Sequence, residues 1–228
     1  MVEHVYVLWD VDGTLLLNGA LAGSLYDEAI EYVSGYRPGG TRPGEHGKTD
    51  GQIIAERLAQ YGLDSELHDA VGARLDELSV IASTGSHRRE AAPGVPDALA
   101  AVRTAGWTNA LLTGNSPTRA RAKLGGAGID LDAFDWEHSF FGDRTRQRSE
   151  ITAAARAALA DRPSVIVGDT PSDDLAAAAA GIPFIAVATG IFPAEELAQT
   201  GALVVLPNLV QGLPQLRAQL DALAVAGA

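Results

Sequence analysis

Two carboxylates two residues apart, Asp10 and Asp12, close an apolar run and are followed by Gly13-Thr14. The run, Val5-Tyr6-Val7-Leu8-Trp9, is rich in β-branched and aromatic residues and reads as a buried strand. Carboxylates are costly to bury unless something pairs with them. At the C-terminal edge of a parallel strand they stand where open α/β sheets bind ligands. Gly13 permits a tight turn, and the amides that follow can hold an anion. Asp10 then suits a nucleophile or a metal ligand, and Asp12 an acid or base. Taken alone, the stretch equally describes a strand end with a solvated Asp-Gly turn.

Two further strand ends carry polar groups of the same kind. Trp107 to Leu112 reads as a strand and runs into Thr113-Gly114-Asn115. Val165-Ile166-Val167 reads as another and runs into Gly168-Asp169-Thr170-Pro171-Ser172-Asp173. In a parallel sheet these ends point the same way, so their side chains converge on one crevice. Several carboxylates in one crevice repel one another and do not all stay ionised. A divalent cation relieves that repulsion, and oxygen-only ligands without cysteine favour Mg²⁺. Such an ion holds a phosphate oxygen and neutralises developing charge. Asp10 would then attack phosphorus to form an aspartyl-phosphate, and Asp12 would protonate the leaving alcohol and later deprotonate water. The Thr113 hydroxyl and the Gly114 and Asn115 amides suit the phosphate oxygens. One further cation is needed beside the phosphate and the nucleophile.

The elements that must position these groups follow from periodicity. Between residues 16 and 89 the apolar positions recur at helical spacing, as in Leu25, Ala29, Ile30 and Val33, then Ile53, Ile54 and Leu58, then Leu67, Val71, Leu75 and Leu78. No strand is evident there. A helical block inserted between a strand and later α/β units reads as a cap over residues 16–89, with the catalytic core formed by residues 1–15 and 90–228. From Ala92 onward strands alternate with helices, which implies a parallel sheet with helices on both faces. Strands are expected at Ser139–Phe141, Pro183–Val187 and Leu203–Leu206, and a helix after Pro117 that the Gly125-Gly126-Ala127-Gly128 run breaks near Leu124. The last helix is expected within Leu209–Leu223. The hinges between cap and core are expected near Leu16–Gly19 and Thr84–Pro93.

Composition narrows the partners. The net charge of −12 over 228 residues argues against nucleic acid or an anionic membrane surface as the main target. It leaves room for a small phosphorylated metabolite, because a local cation or metal inverts the field in one cleft. The absence of cysteine removes disulfides, thiolate metal sites and cysteine nucleophiles together. No signal peptide and no membrane span is evident, and a cytoplasmic monomer or homodimer is expected.

The motifs Asp10-Val11-Asp12-Gly13-Thr14, Thr113-Gly114-Asn115 and Gly168-Asp169-Thr170-Pro171-Ser172-Asp173 resemble the first, second and fourth motifs of the haloacid dehalogenase-like (HAD) hydrolase superfamily. The resemblance spans almost the whole chain and includes a helical insertion like that of members with a C1 cap, the phosphoglycolate phosphatase-like branch being similar. It implies a Rossmann-like core, Asp10 as nucleophile and Asp12 as acid/base. It also implies Mg²⁺ held by Asp10, the Asp12 backbone carbonyl and Asp169, with Asp173 beside them. The superfamily usually places a lysine before the fourth-motif strand, whereas the chain has no lysine after Lys123. Arg148, just before a predicted helix, is the cation chosen for that role, since arginine bridges phosphate and carboxylate well. Lys123 is the rival, read as a solvated cation near a helix C-terminus. In Gly47-Lys48-Thr49-Asp50-Gly51, Thr49 or Asp50 suits a helix N-cap. Similar capped phosphatases make Lys48 a candidate specificity residue. His46, His87 and His138 read as surface or structural histidines, and Arg88-Arg89-Glu90 as a solvated hinge edge. The implied activity is hydrolysis of a small phosphomonoester. A phosphosugar mutase of the same build and a non-catalytic phospho-ligand binding module are the alternatives.

Overall fold

A computed structural model describes residues 5–18, 22–39, 44–85, 88–160 and 162–226. Six parallel strands form one sheet: β1 Tyr6–Trp9, β2 Thr108–Thr113, β3 Phe140–Phe141, β4 Ser164–Gly168, β5 Phe184–Val187 and β6 Val205–Leu206. Their spatial order is β3-β2-β1-β4-β5-β6. The helices of the α/β part are α4 Val95–Thr104, α5 Pro117–Gly126, α6 Arg148–Leu159, α7 Pro171–Ala180, α8 Ala194–Leu197 and α9 Leu213–Ala226. Among the described residues no helix is long and apolar enough to cross a membrane.

The sequence of β1 explains its place. All four of its residues are buried, as a strand covered on both faces requires. Alternation then sends Val5, Val7 and Trp9 into one layer of core and Tyr6 and Leu8 into the other. The first layer holds Leu99, Leu124 and Leu216, and the second Ile151, Leu159 and Ala177. In register, Trp9 lies beside Leu111 of β2 and Val167 of β4. The chain order reverses between β1 and β4, which is where doubly wound sheets open a crevice at their C-terminal ends.

Between β1 and α4 the chain forms α1 Ala22–Ser34, α2 Asp50–Gln60 and α3 His68–Thr84, with no strand among the described residues. These helices carry a separate apolar cluster of Tyr26, Ile30, Ile54, Leu58, Val71 and Leu75. Arg57 is buried within the block, where Asp27 and Glu45 neutralise it at 2.5 and 2.7 Å. The two linkers run side by side. Leu16 bridges Ala91 in antiparallel fashion, and the Leu17 N–H donates to the Glu90 carbonyl at 2.9 Å. Of the expected hinges, Gly19, Ser86 and His87 lie outside the described residues, as do residues 41–43 of the loop before α2.

Three boundaries differ from expectation for physical reasons. Thr113 belongs to β2, because it still pairs with Phe141. Helix α5 does not break at Leu124 but continues through Gly125 and Gly126. Gly126 serves a close approach instead of a stop: a Cβ there would meet the Ser83 carbonyl of α3 at 2.5 Å. The strand expected from Leu203 is only Val205–Leu206.

Candidate active site

Asp10 is the first residue beyond β1, and its N–H donates to the Val167 carbonyl at 2.9 Å. The next residues turn sharply. Gly13 has φ of +90°, which only glycine adopts without strain, and a Cβ there would press on the Asp169 carboxylate. Asp169 follows β4 directly and accepts from the Thr14 hydroxyl at 3.2 Å. Asp173 lies in the first turn of α7, where Thr170 and Asp173 cap one another reciprocally. That capping uses Oδ2 of Asp173, which accepts from the Thr170 N–H and hydroxyl at 3.0 and 2.8 Å, and leaves Oδ1 to face the crevice.

Asp10, Asp169 and Asp173 thus each place a carboxylate oxygen within 4.8 Å of the others, all three buried. Arg148, at the start of α6, reaches between two of them. Its Nη2 donates to Asp10 Oδ1 at 2.7 Å and stands 2.6 Å from Asp173 Oδ1. Arg148 Nε is a buried donor with no protein partner. Burial pushes the Asp10 carboxyl up to about 6, with Asp173 adding to the rise and Arg148 opposing it. Burial, then Asp10 and Asp173, push Asp169 well above the usual carboxylate range. Arg148 is raised despite its burial, because Asp173 and Asp10 favour its charge.

This donor set fits a hard divalent cation. It consists of oxygens only, and Asp173 Oδ1 is buried without a hydrogen bond. Three carboxylates against one guanidinium leave an excess of negative charge that a cation offsets. Asp12 stands outside this triad and meets a different set of partners. Its Oδ2 accepts from Lys123 Nζ at 2.6 Å and Asn115 Nδ2 at 2.9 Å, and its Oδ1 lies 3.1 Å from Arg89 Nη1. Burial alone would raise this carboxyl, but Lys123 and Arg89 outweigh it and hold Asp12 far below the usual range. Lys123 in turn is pushed down to about 8 by burial, against the pull of Asp12.

The structure therefore corrects two sequence expectations. Lys123 is no solvated helix-end cation. It is 7% exposed, and it also donates to Asn115 Oδ1 at 2.6 Å. Arg89 is no solvated hinge edge, since it donates twice to the Leu17 carbonyl and leans on Asp12. Thr113 is fully buried at the base of the cavity; its oxygen accepts from Asn115 Nδ2 at 2.8 Å, which leaves its hydrogen to donate. The Asn115 side chain orients Asp12, a role its position did not announce.

A cavity of about 330 Å³ opens over Asp10, Asp12, Thr113 and Arg148, roofed by Gly47 and Lys48. Lys48 lines it, yet its ammonium is paired with Glu56 at 2.6 Å. Thr49 is the N-cap of α2, accepting from the Gln52 N–H at 3.0 Å, while Asp50 is buried and pairs with Arg119. The roof is close: a Cβ on Gly114 would meet the Lys48 carbonyl at 2.6 Å and Thr49 Cα at 3.0 Å. Gly114→Ala is expected to cost about 1–3 kcal/mol, as overpacking against backbone does. Urea midpoints of the two proteins measure it.

Known proteins resemble this chain in sequence and in fold. A family model described as haloacid dehalogenase-like hydrolase matches residues 6–181. A phosphoglycolate phosphatase of Rhodospirillum rubrum is 29% identical over 237 residues, covering 92% of this chain and 91% of that protein. The crystal structure of CbbY from Rhodobacter sphaeroides in complex with phosphate shares the fold at a TM-score of 0.69 and 23% identity, covering 93% of this chain and 96% of that one. A HAD hydrolase of Entamoeba histolytica gives a TM-score of 0.72 at 18% identity, with 96% and 99% covered.

Proposed function

The chain belongs to the haloacid dehalogenase-like hydrolases, and from that membership we propose that it is a Mg²⁺-dependent phosphatase. Its substrate is a small phosphomonoester of the phosphoglycolate or sugar-phosphate kind, cleaved through an aspartyl-phosphate on Asp10. The observation that carries this reading is the buried triad of Asp10 and Asp169, at the ends of the adjacent strands β1 and β4, and Asp173, in the first turn of α7, with Arg148 bonded to the first of them. The R. rubrum phosphatase, similar over nine-tenths of the chain, supports the substrate class.

Asp10, Asp169 and Asp173, with the Asp12 carbonyl, would hold Mg²⁺, which when bound supplies positive charge to the phosphate and relieves carboxylate repulsion. The remaining work falls to the chain. Arg148 orients the Asp10 carboxylate, and its guanidinium lines the cavity, where it can also donate to a phosphate oxygen. Thr113 donates its hydroxyl hydrogen, and the Gly114 amide adds a second donor. Asp10 attacks phosphorus, the P–O ester bond breaks, and the leaving oxygen takes its proton from the protonated Asp12 carboxyl. Water then cleaves the acyl phosphate after giving a proton to Asp12. Lys123, Asn115 and Arg89 hold Asp12 ionised, so the arrangement seen is the base-ready one. To serve first as an acid, Asp12 must take up a proton as the leaving oxygen approaches. The cavity size and the roof formed by Gly47 and Lys48 support a small leaving group and a cap that excludes water.

The test is phosphate release from a panel of small phosphomonoesters in Mg²⁺ and in EDTA. Release is expected in Mg²⁺, lost in EDTA and restored by excess Mg²⁺. No release from any ester by folded protein in Mg²⁺ overturns the reading. Sugar-phosphate isomerisation in place of release would mark a mutase.

A further inference from the structure

Arg119 is 1% exposed, lies on α5 and belongs to the sheet-bearing part of the fold, yet among the described residues its side-chain hydrogen bonds all go to the helical block. Its Nε donates to Ser79 Oγ of α3 at 3.0 Å, and its Nη1 donates to the Tyr26 hydroxyl of α1 at 2.9 Å. The same Nη1 pairs with Asp50 Oδ1 of α2. The Tyr26 hydroxyl also donates to Asp50 Oδ1, at 2.6 Å, so the three groups close a small ring of bonds. One guanidinium therefore grips all three helices of the block.

The grip falls next to the chemistry. Asp50 Oδ2 accepts from the Ser116 N–H at 3.0 Å, and the Asp50 N–H donates to the Gly114 carbonyl at 2.8 Å. The Gly51 N–H donates to the Gly142 carbonyl at 3.0 Å, and the Thr49 hydroxyl to the Thr145 carbonyl at 2.7 Å. Asp50 thus ties the first turn of α2 to the loop that carries the candidate phosphate donors. A buried arginine and carboxylate separate only at the cost of exposing two unpaired charges. Their partnership accordingly fixes the height and tilt of Thr49–Gly51 above Gly114–Ser116.

We propose that the Arg119–Asp50 pair is a positioning device for catalysis, holding the turn Thr49–Gly51 in register over the loop Gly114–Ser116 so that both form one wall of the phosphate site. The inference rests on the phosphatase reading for its kinetic consequence, but not for its structural one. Arg119 does not act on phosphorus; it sets where the wall stands. A displacement of about 1 Å in such a wall costs about 10²-fold in rate.

The experiment compares Arg119→Met, Asp50→Leu, the double variant, Arg119→Lys and Tyr26→Phe. Steady-state hydrolysis of p-nitrophenyl phosphate in Mg²⁺ is read beside amide hydrogen exchange. Arg119→Met is expected to lower kcat/KM about 10²-fold. The double variant should be no worse than the poorer single one, because the two residues act as one unit. Arg119→Lys should recover part of the loss. The Asp50 and Gly51 amides should exchange at least about tenfold faster in Arg119→Met while the Asp10 amide keeps its protection. A folded Arg119→Met protein with undiminished kcat/KM, or with unchanged exchange at Asp50 and Gly51, overturns the proposal. If Arg119→Met does not fold, Tyr26→Phe removes one hydroxyl from the ring and is held to the same two readouts. If wild-type protein hydrolyses no ester, the phosphatase reading fails separately, and exchange alone decides the role of the pair.

Discussion

Asp10→Asn is expected to lower turnover by about 10⁴-fold or more, because an amide oxygen cannot form the aspartyl-phosphate. The same substitution is expected to leave the metal-free protein at least as stable as wild type. Asp10 shares its crevice with Asp169 and Asp173, and the amide can still accept from Arg148 Nη2, which lies 2.7 Å away. The sign of the pH dependence follows from its raised carboxyl. In EDTA the folded state holds a proton on Asp10 up to pH about 6, whereas an unfolded aspartate loses it near pH about 4. The folded state therefore binds more protons across that window, and stability falls as pH rises through it. The variant escapes that fall, so its advantage in melting temperature should be present above pH about 6 and vanish below about 4. Melting curves in EDTA at pH 4 and pH 7, beside single-turnover phosphate release, read both effects. Residual turnover near the wild-type rate would remove Asp10 from the role of nucleophile.

Arg148→Met carries the second large effect. Wild-type Arg148 is 8% exposed and faces Asp10 and Asp173 at 2.7 and 2.6 Å. Without it three buried carboxylates face one another, and breaking a buried pair from one side costs about 3–5 kcal/mol. That loss should be seen by denaturant titration in EDTA and be partly restored by Mg²⁺, which takes over the neutralisation. Turnover at saturating Mg²⁺ should fall by about 10²–10³-fold, the usual effect of removing one preorganised electrostatic donor. Arg148→Lys should recover some activity, though lysine cannot span a carboxylate and a phosphate with one planar fork. Lys123→Met serves as the contrast. It strips Asp12 of its closest cation, so its effect belongs to the proton-transfer step and not to phosphate affinity. If Arg148→Met kept its turnover while Lys123→Met lost phosphate binding, the roles of the two cations would be reversed.

The strand ends were legible because buried parallel strands are short unbroken apolar runs, and a polar cluster at the end of such a run stands out. Asp10, Thr113 and Asp169 were found that way, and the structure gathers them at the C-terminal edges of β1, β2 and β4. The helical block was legible from its spacing, as Ile54, Leu58, Val71 and Leu75 meet in one cluster. Arg89, Arg119 and the inward set of Lys123 were not. Arg-Arg-Glu reads as solvated wherever nothing nearby is apolar, and only the fold shows that Arg89 crosses a pair of adjacent linkers to reach Asp12. On α5 a faint signal existed. Arg119 and Lys123 lie four apart on one face with Ala120 and Leu124 beside them, while Thr118 and Arg121 face outward. Two cations on the apolar side of a helix that follows a candidate phosphate loop ask for buried anions. Asp12 and Asp50 are those anions, but both lie far away in sequence, and pairing across such distances is set by tertiary contact. Gly126 departs from expectation for a related reason, since a glycine that ends a helix and one that lets two helices touch look alike until the neighbour is known.

The central place of β1 has a consequence for how the protein is made. A ribosome delivers this strand first, yet both of its neighbours, Thr108–Thr113 and Ser164–Gly168, arrive only after the whole helical block. The block holds its own apolar cluster and so is equipped to fold while synthesis continues. During that interval a strand that is buried along its whole length in the finished fold has both edges bare, in a contact arrangement that must close over long stretches of chain. Asp10 thus emerges before either neighbouring strand and gains its surroundings only after both have arrived, and a chaperone that shelters Tyr6–Trp9 would cover that interval.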